Sequence, residues 1–151
     1  MIRFENVSKI YKGTNYPALE EIDLEKQRSL DRGTVITVAG LGVVYELSCT
    51  EILSFLMKGL NVVAFNYRGV GDSTGISTGE GFKRDVEAIY QYVKSKGVPD
   101  NRIIFKALCM GGGPATFVAA NHPGTHLFLD QSFSRIHVVA EKIAEKRLNE
   151  I

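Results

Sequence analysis

From residue 34 onward, short apolar runs alternate with longer segments in which apolar residues recur every three or four positions. Short β-branched runs are typical of buried strands, and the longer periodic segments are typical of amphipathic helices. This alternation predicts a three-layer α/β fold, in which helices cover both faces of a mainly parallel sheet. The predicted strands are residues 34–39, 60–65, 102–107 and 125–130. The predicted helices are residues 46–58, 82–96, 110–120 and 136–148.

The beginning of the chain has a different pattern. Residues 2–4 and 22–24 are short apolar runs typical of edge strands or a hairpin, and polar residues fill much of the sequence between them. We therefore predict an N-terminal extension or set of edge strands at residues 1–32. We predict that the remaining residues, 33–151, form one α/β domain.

The composition is that of a single globular domain. The chain has 151 residues, of which 44% are hydrophobic and 23% are charged, and its formal net charge is +1. Such a small net charge, with scattered Lys and Arg, excludes the broad basic surface that nucleic acids and anionic membranes attract. Residues 107–129 contain no Asp, Glu, Lys or Arg, but glycine and proline interrupt them, so we expect no membrane span.

The cysteines and the N-terminus indicate a reducing compartment. Two cysteines, Cys49 and Cys109, do not form a disulfide framework. Arg3 and Glu5 stand where a signal peptide needs an apolar run. We therefore predict a cytoplasmic protein with reduced thiols, in which Cys49 lies in a helix core.

Other polar residues are interpreted as structural. His122 and His126 flank a Pro-Gly turn and lack the spacing of metal ligands, so we predict no metal site. Arg68 and Asp72 lie in a segment with glycine at several positions, residues 67–81, and we expect them to organise this glycine loop rather than to react.

The junction at Cys109 carries the candidate chemistry. A predicted strand runs directly into a predicted helix, with small residues, Ala107 and Gly111, two positions on either side of Cys109. This spacing is typical of a strained turn that exposes a nucleophile at the carboxyl edge of a sheet. The helix N-terminus would favour the thiolate, and the backbone N–H of Met110 would point toward a developing oxyanion. The alternative is that Cys109 is a small buried core residue.

These features resemble the α/β-hydrolase family, in a version with Cys in place of the usual Ser, as in dienelactone-hydrolase-like members. The resemblance covers about residues 33–140 and implies the family's fold. It further implies that the backbone N–H of Leu41 is a second oxyanion donor. Four segments match in the family's order, namely residues 38–42, 66–73, 85–92 and 107–111.

The same resemblance leaves the acid and the base open. In the family they follow two further strands, whereas one predicted strand follows Cys109, so the chain resembles a truncated hydrolase. In the order nucleophile, acid, base, the remaining candidates are Asp130, which closes the fourth strand, and His137. A base from a second subunit is the alternative.

A second resemblance concerns residues 2–25, which are similar to the opening strands of ABC-transporter ATP-binding subunits. It implies that Tyr11 occupies the position of the aromatic residue that stacks on adenine. A P-loop needs Gly-x4-Gly-Lys-Ser/Thr, and residues 40–45 contain neither the Lys nor the Ser/Thr. We therefore expect no ATP hydrolysis and no cofactor.

Two hypotheses about function follow. In the first, the protein hydrolyses a small ester or thioester substrate through Cys109. In the second, it is a non-catalytic hydrolase-like domain, a remnant or a chimera, that acts by binding or by homo-oligomerisation through an open sheet edge.

Overall fold

The computed structural model describes residues 32–40 and 42–135, together with residues 138 and 141. The strands in this part of the chain are β1 (Thr34–Val38), β2 (Asn61–Ala64), β3 (Ile103–Leu108) and β4 (His126–Asp130). They form one parallel sheet in the order β2-β1-β3-β4. The four predicted strands are confirmed, and their ends differ from the prediction by one residue at most.

Helices connect consecutive strands. They are α1 (Cys49–Met57), α2 (Gly79–Ser95) and α3 (Gly112–Asn121). A 3-10 turn precedes α1 and another precedes α3, at Tyr45–Ser48 and Cys109–Gly111 respectively. The predicted extension up to residue 31 and most of the predicted helix at 136–148 lie outside the described residues.

Helix α2 begins three residues earlier than the apolar periodicity predicts. Thr78 has extended backbone angles, and its side-chain hydroxyl accepts a hydrogen bond of 2.9 Å from the backbone N–H of Gly81. Glu80 adds a negative charge in the first turn, where the helix dipole favours it. This N-cap extends the helix through polar residues that apolar spacing cannot detect.

The helices lie on both faces of the sheet. In β3, the side chain of Phe105 lies against Tyr90 of α2, whereas the neighbouring Lys106 pairs with Glu51 of α1. Consecutive residues of a strand point to opposite faces, so α1 and α2 lie on opposite faces. Right-handed crossovers explain this arrangement. The chain first moves from β1 to β2 on one side and then returns past β1 to β3 on the other side, so the two connecting helices lie on opposite faces. The three-layer α/β fold is confirmed.

The core lies between the sheet and the two helices α2 and α3. Its buried residues include Ile36, Val38, Val86, Ile89, Tyr90, Val93, Ile103, Phe105, Ala115 and Val118. The outer strand β4 differs, because most of its residues are exposed. Among the described residues, no helix is both long enough and apolar enough to cross a bilayer.

Candidate active site

Cys109 lies at the sharp turn between β3 and α3. Its φ angle is +50°, in the left-handed region that few residues other than glycine adopt. Cys109 is exposed, which contradicts the alternative of a buried packing cysteine. The turn therefore presents the thiol at the carboxyl edge of the sheet, where parallel α/β folds place their ligands.

Gly111 permits this turn by its lack of a side chain. A Cβ atom at this position would lie 2.4 Å from the carbonyl oxygen of Val38 and 2.5 Å from that of Ala39. These distances are far below van der Waals contact, and both neighbours are backbone atoms at the end of β1. The close approach expected from the small residue at position 111 is present.

The loop after β1 lies beside the cysteine. A Cβ atom built on Gly40 would be 3.6 Å from the Cβ atom of Cys109, so the backbone of this loop is adjacent to the turn. Leu41, the predicted second oxyanion donor, lies outside the described residues. Met110, the predicted first donor, is half-buried in the 3-10 turn that leads into α3.

Asp130 reaches the same edge of the sheet as Cys109. It pairs in register with Leu108, the residue directly before Cys109. Its carboxylate Oδ2 lies 3.4 Å from the Nζ atom of Lys106. Within the described part of the chain, the predicted acid therefore forms an ion pair with this ammonium group. His137, the predicted base, lies outside the described residues. The structure thus places the nucleophile and acid candidates at the carboxyl ends of neighbouring strands.

Lys106 is a feature that the sequence reasoning missed. Its side chain is 6% exposed, and it lies between Glu51 of α1 and Asp130 of β4. A buried ammonium group requires such partners, because removing a lone charge from water is costly. The signal in the sequence was a single Lys within an otherwise apolar strand.

The glycine loop is held against α2 by one guanidinium group. Arg68 donates from Nε and Nη2 to Oδ1 of Asp85, at 2.9 and 2.6 Å. Its backbone N–H donates to the other carboxylate oxygen at 3.0 Å. Arg68 therefore organises this loop, as expected. Burial raises the pKa of Tyr67, the first residue of this loop, so its phenol stays neutral.

Asn66, which the sequence reasoning also missed, connects two loops at this edge. Its side-chain oxygen accepts a hydrogen bond of 2.9 Å from the backbone N–H of Tyr45, and its amide nitrogen lies 3.4 Å from Glu46. The segments that follow β1 and β2 are thereby held together.

The remaining candidates have structural contacts. His122 lies 3.0 Å from a carboxylate oxygen of Glu87 and stacks on Tyr90.

The prediction that Cys49 lies in a helix core is wrong: it is exposed at the start of α1, and its thiol donates to the carbonyl of Glu46. Helical periodicity identified an apolar segment, but α1 buries none of its residues fully. Within the described part of the chain, no group of three or more His, Cys, Asp and Glu side chains could hold a metal ion.

Comparisons with known proteins agree with this architecture. No protein-family model and no curated protein sequence matches the chain. Among solved structures, it is similar to an extracellular alpha/beta-hydrolase from a Paenibacillus species, with a TM-score of 0.56 and 18% identity, over 68% of this chain and 42% of the other. It is also similar to an alpha-beta serine hydrolase homologue from Coxiella burnetii, with a TM-score of 0.55 and 23% identity, over 65% of this chain and 49% of the other. The chain spans less than half the length of either protein. Its strands and helices therefore form part of the α/β-hydrolase fold.

Proposed function

We propose that the protein is a hydrolase of ester or thioester bonds that uses Cys109 as its nucleophile. The observation that carries the proposal is the left-handed conformation of Cys109 between β3 and α3. A non-glycine residue is held in such a conformation at a cost, and strained residues cluster at functional sites. The similarity of the fold to hydrolases supports the same assignment. We propose a small ester-like molecule as the substrate and the cytoplasm as the location.

The proposed reaction has two steps. The Sγ atom of Cys109 attacks the carbonyl carbon, and the oxyanion accepts hydrogen bonds from the backbone N–H groups of Met110 and Leu41. The tetrahedral intermediate collapses to an acyl-thioester, and the alcohol or thiol leaves with the proton that the base removed from the Cys109 thiol. Water then attacks the thioester, which releases the acid and restores the thiol. We assign the role of base to His137 or to a group from a second subunit, and the role of acid to Asp130.

Turnover of p-nitrophenyl acetate tests this assignment. We expect the wild type to release p-nitrophenolate faster than buffer, and Cys109→Ala to lose at least about 100-fold of that rate, because the attacking atom is gone. Cys109→Ser should retain a small fraction, since a hydroxyl is a weaker nucleophile without an efficient base. Cys49→Ser is the matched control and should keep the wild-type rate. Equal rates in the wild type and Cys109→Ala would refute the proposal.

The non-catalytic alternative is favoured by a different observation, the exposure of β4. In the sheet that the described residues form, β4 is an outer strand and presents apolar side chains to solvent: Leu127, Phe128 and Leu129 are 38%, 58% and 47% exposed. An apolar strand at a sheet edge is a template for pairing with another strand. In this alternative, the occupant of the edge is a second copy of the chain.

Analytical ultracentrifugation distinguishes this alternative. If this alternative holds, the wild type sediments as a dimer and Phe128→Lys as a monomer, because a charge on the edge strand opposes pairing. Leu53→Lys, on the exposed surface of α1, is the control and should leave the dimer intact. A monomeric wild type, or a dimer that persists in Phe128→Lys, would exclude β4 as the interface.

A further inference from the structure

The carboxyl ends of β3 and β4 share an unusual backbone conformation. Leu108 and Asp130 pair in register, and the residue after each of them, Cys109 and Gln131, has a positive φ, of 50° and 48°. Among the described residues, these are the non-glycine positions in the left-handed region. The two neighbouring strands therefore turn sharply at the same level, and the loop that leaves β4 lies against the turn that leaves β3.

Ser132 makes the contact between these two turns. Its hydroxyl donates a hydrogen bond of 2.7 Å to the backbone carbonyl of Cys109. A Cβ atom at Gly112 would lie 1.8 Å from the Oγ atom of Ser132, so the hydroxyl fills the space that any other side chain would occupy there. The Ser132 side chain therefore packs into the space left by the absent side chain of Gly112, and its hydrogen bond to Cys109 fixes its position.

We infer that Ser132 is a positioning residue for Cys109, an inference that rests on the proposed function of this thiol. A left-handed non-glycine residue persists where its surroundings restrain it. The backbone of β1 restrains the turn through Gly111 on one side. Ser132 restrains it on the other side through the carbonyl of Cys109 itself. Because the hydroxyl proton of Ser132 is donated to this carbonyl, the residue acts through Cys109.

The test measures both the thiol and the reaction. All variants are made in the Cys49→Ser background, so that Cys109 is the sole thiol of the chain. The rate of alkylation by iodoacetamide is measured across pH, and kcat and KM are measured with p-nitrophenyl acetate. We expect Ser132→Ala to lower both the alkylation rate and kcat about fivefold, which is the size of effect expected for the loss of one hydrogen bond. KM should stay unchanged. Ser132→Thr, which keeps the hydroxyl, should restore both rates.

Two further variants complete the design. Ser134→Ala removes an exposed hydroxyl from the same loop and should change neither rate. Gly112→Ala places a methyl group where the Ser132 hydroxyl lies, and should slow alkylation as Ser132→Ala does. Circular dichroism and thermal denaturation establish that each variant is folded. If Ser132→Ala does not fold, Gly112→Ala and Ser132→Thr decide the question.

The outcomes separate the inference from the proposed function. Unchanged or faster alkylation in folded Ser132→Ala or Gly112→Ala would overturn the role of Ser132, whatever the hydrolysis data show. A wild type that does not hydrolyse the ester, but whose alkylation still slows in Ser132→Ala, would refute the proposed hydrolase and leave Ser132 as a positioning residue for the thiol.

Discussion

Gly111→Ala is expected to lower the free energy of unfolding by about 2–4 kcal/mol, because the new methyl group has no space. Its Cβ atom would lie 2.4 and 2.5 Å from the carbonyl oxygens of Val38 and Ala39. Both are backbone atoms at the end of the central strand β1, so neither can move as a flexible side chain would. Urea denaturation, followed by circular dichroism, would show the loss as a lower midpoint.

Gly113→Ala is the matched control, two positions further along the chain. A Cβ atom there meets nothing within 4 Å apart from its chain neighbours and the backbone of its own helix, and the residue is exposed in α3. Because alanine restricts the unfolded chain and favours the helix, this variant should gain about 0.5–1 kcal/mol of stability. A Gly111→Ala variant as stable as the wild type would contradict the close packing of the turn against β1.

Phe105→Ala is expected to cost about 3–5 kcal/mol, because the side chain is fully buried in the middle of β3. The ring lies 6.3 Å from that of Tyr90, measured between centroids, and connects the sheet to α2. Truncation leaves a cavity between two rigid layers that cannot close completely. The midpoint of urea denaturation and the thermal melting temperature would both fall.

Phe128→Ala provides the comparison on the neighbouring strand. Phe128 is paired in register with Lys106 and is 58% exposed, so less apolar surface returns to water when it is truncated. We expect a loss below about 1 kcal/mol. Equal losses in the two variants would contradict the expectation that Phe128 stays exposed, and would indicate that a second copy of the chain covers β4 in solution.

Several elements were predictable from the sequence because their causes are local. Each strand is a short run rich in apolar residues, and a neighbouring glycine or polar segment limits its length. The turn at Cys109 was predictable because the small residues that allow it, at positions 107 and 111, are only two positions from Cys109 in the chain. The start of α2 was also encoded locally, by Thr78, but the signal is a cap and not an apolar period.

Other features depend on residues that are far apart in the chain. The partners of Lys106 are 55 and 24 residues away, at Glu51 and Asp130. Ser132 contacts the carbonyl of Cys109 from 23 residues away. No periodicity relates such pairs, because the order of strands in the sheet brings them together. The exposure of Cys49 follows from the same cause, since the sequence predicts an amphipathic helix but not what covers its apolar face.

The sequence by itself determined the alternation of strands and helices, the parallel sheet, and the position of Cys109 at a strand-to-helix junction. These properties follow from side-chain periodicity and from the steric demands of one tight turn. The tertiary structure alone decided that Asp130 lies beside Lys106 and that Ser132 restrains the turn at Cys109. The physical reason is that hydrogen bonds and ion pairs depend on distances in space, and strand order sets those distances only after the chain has folded.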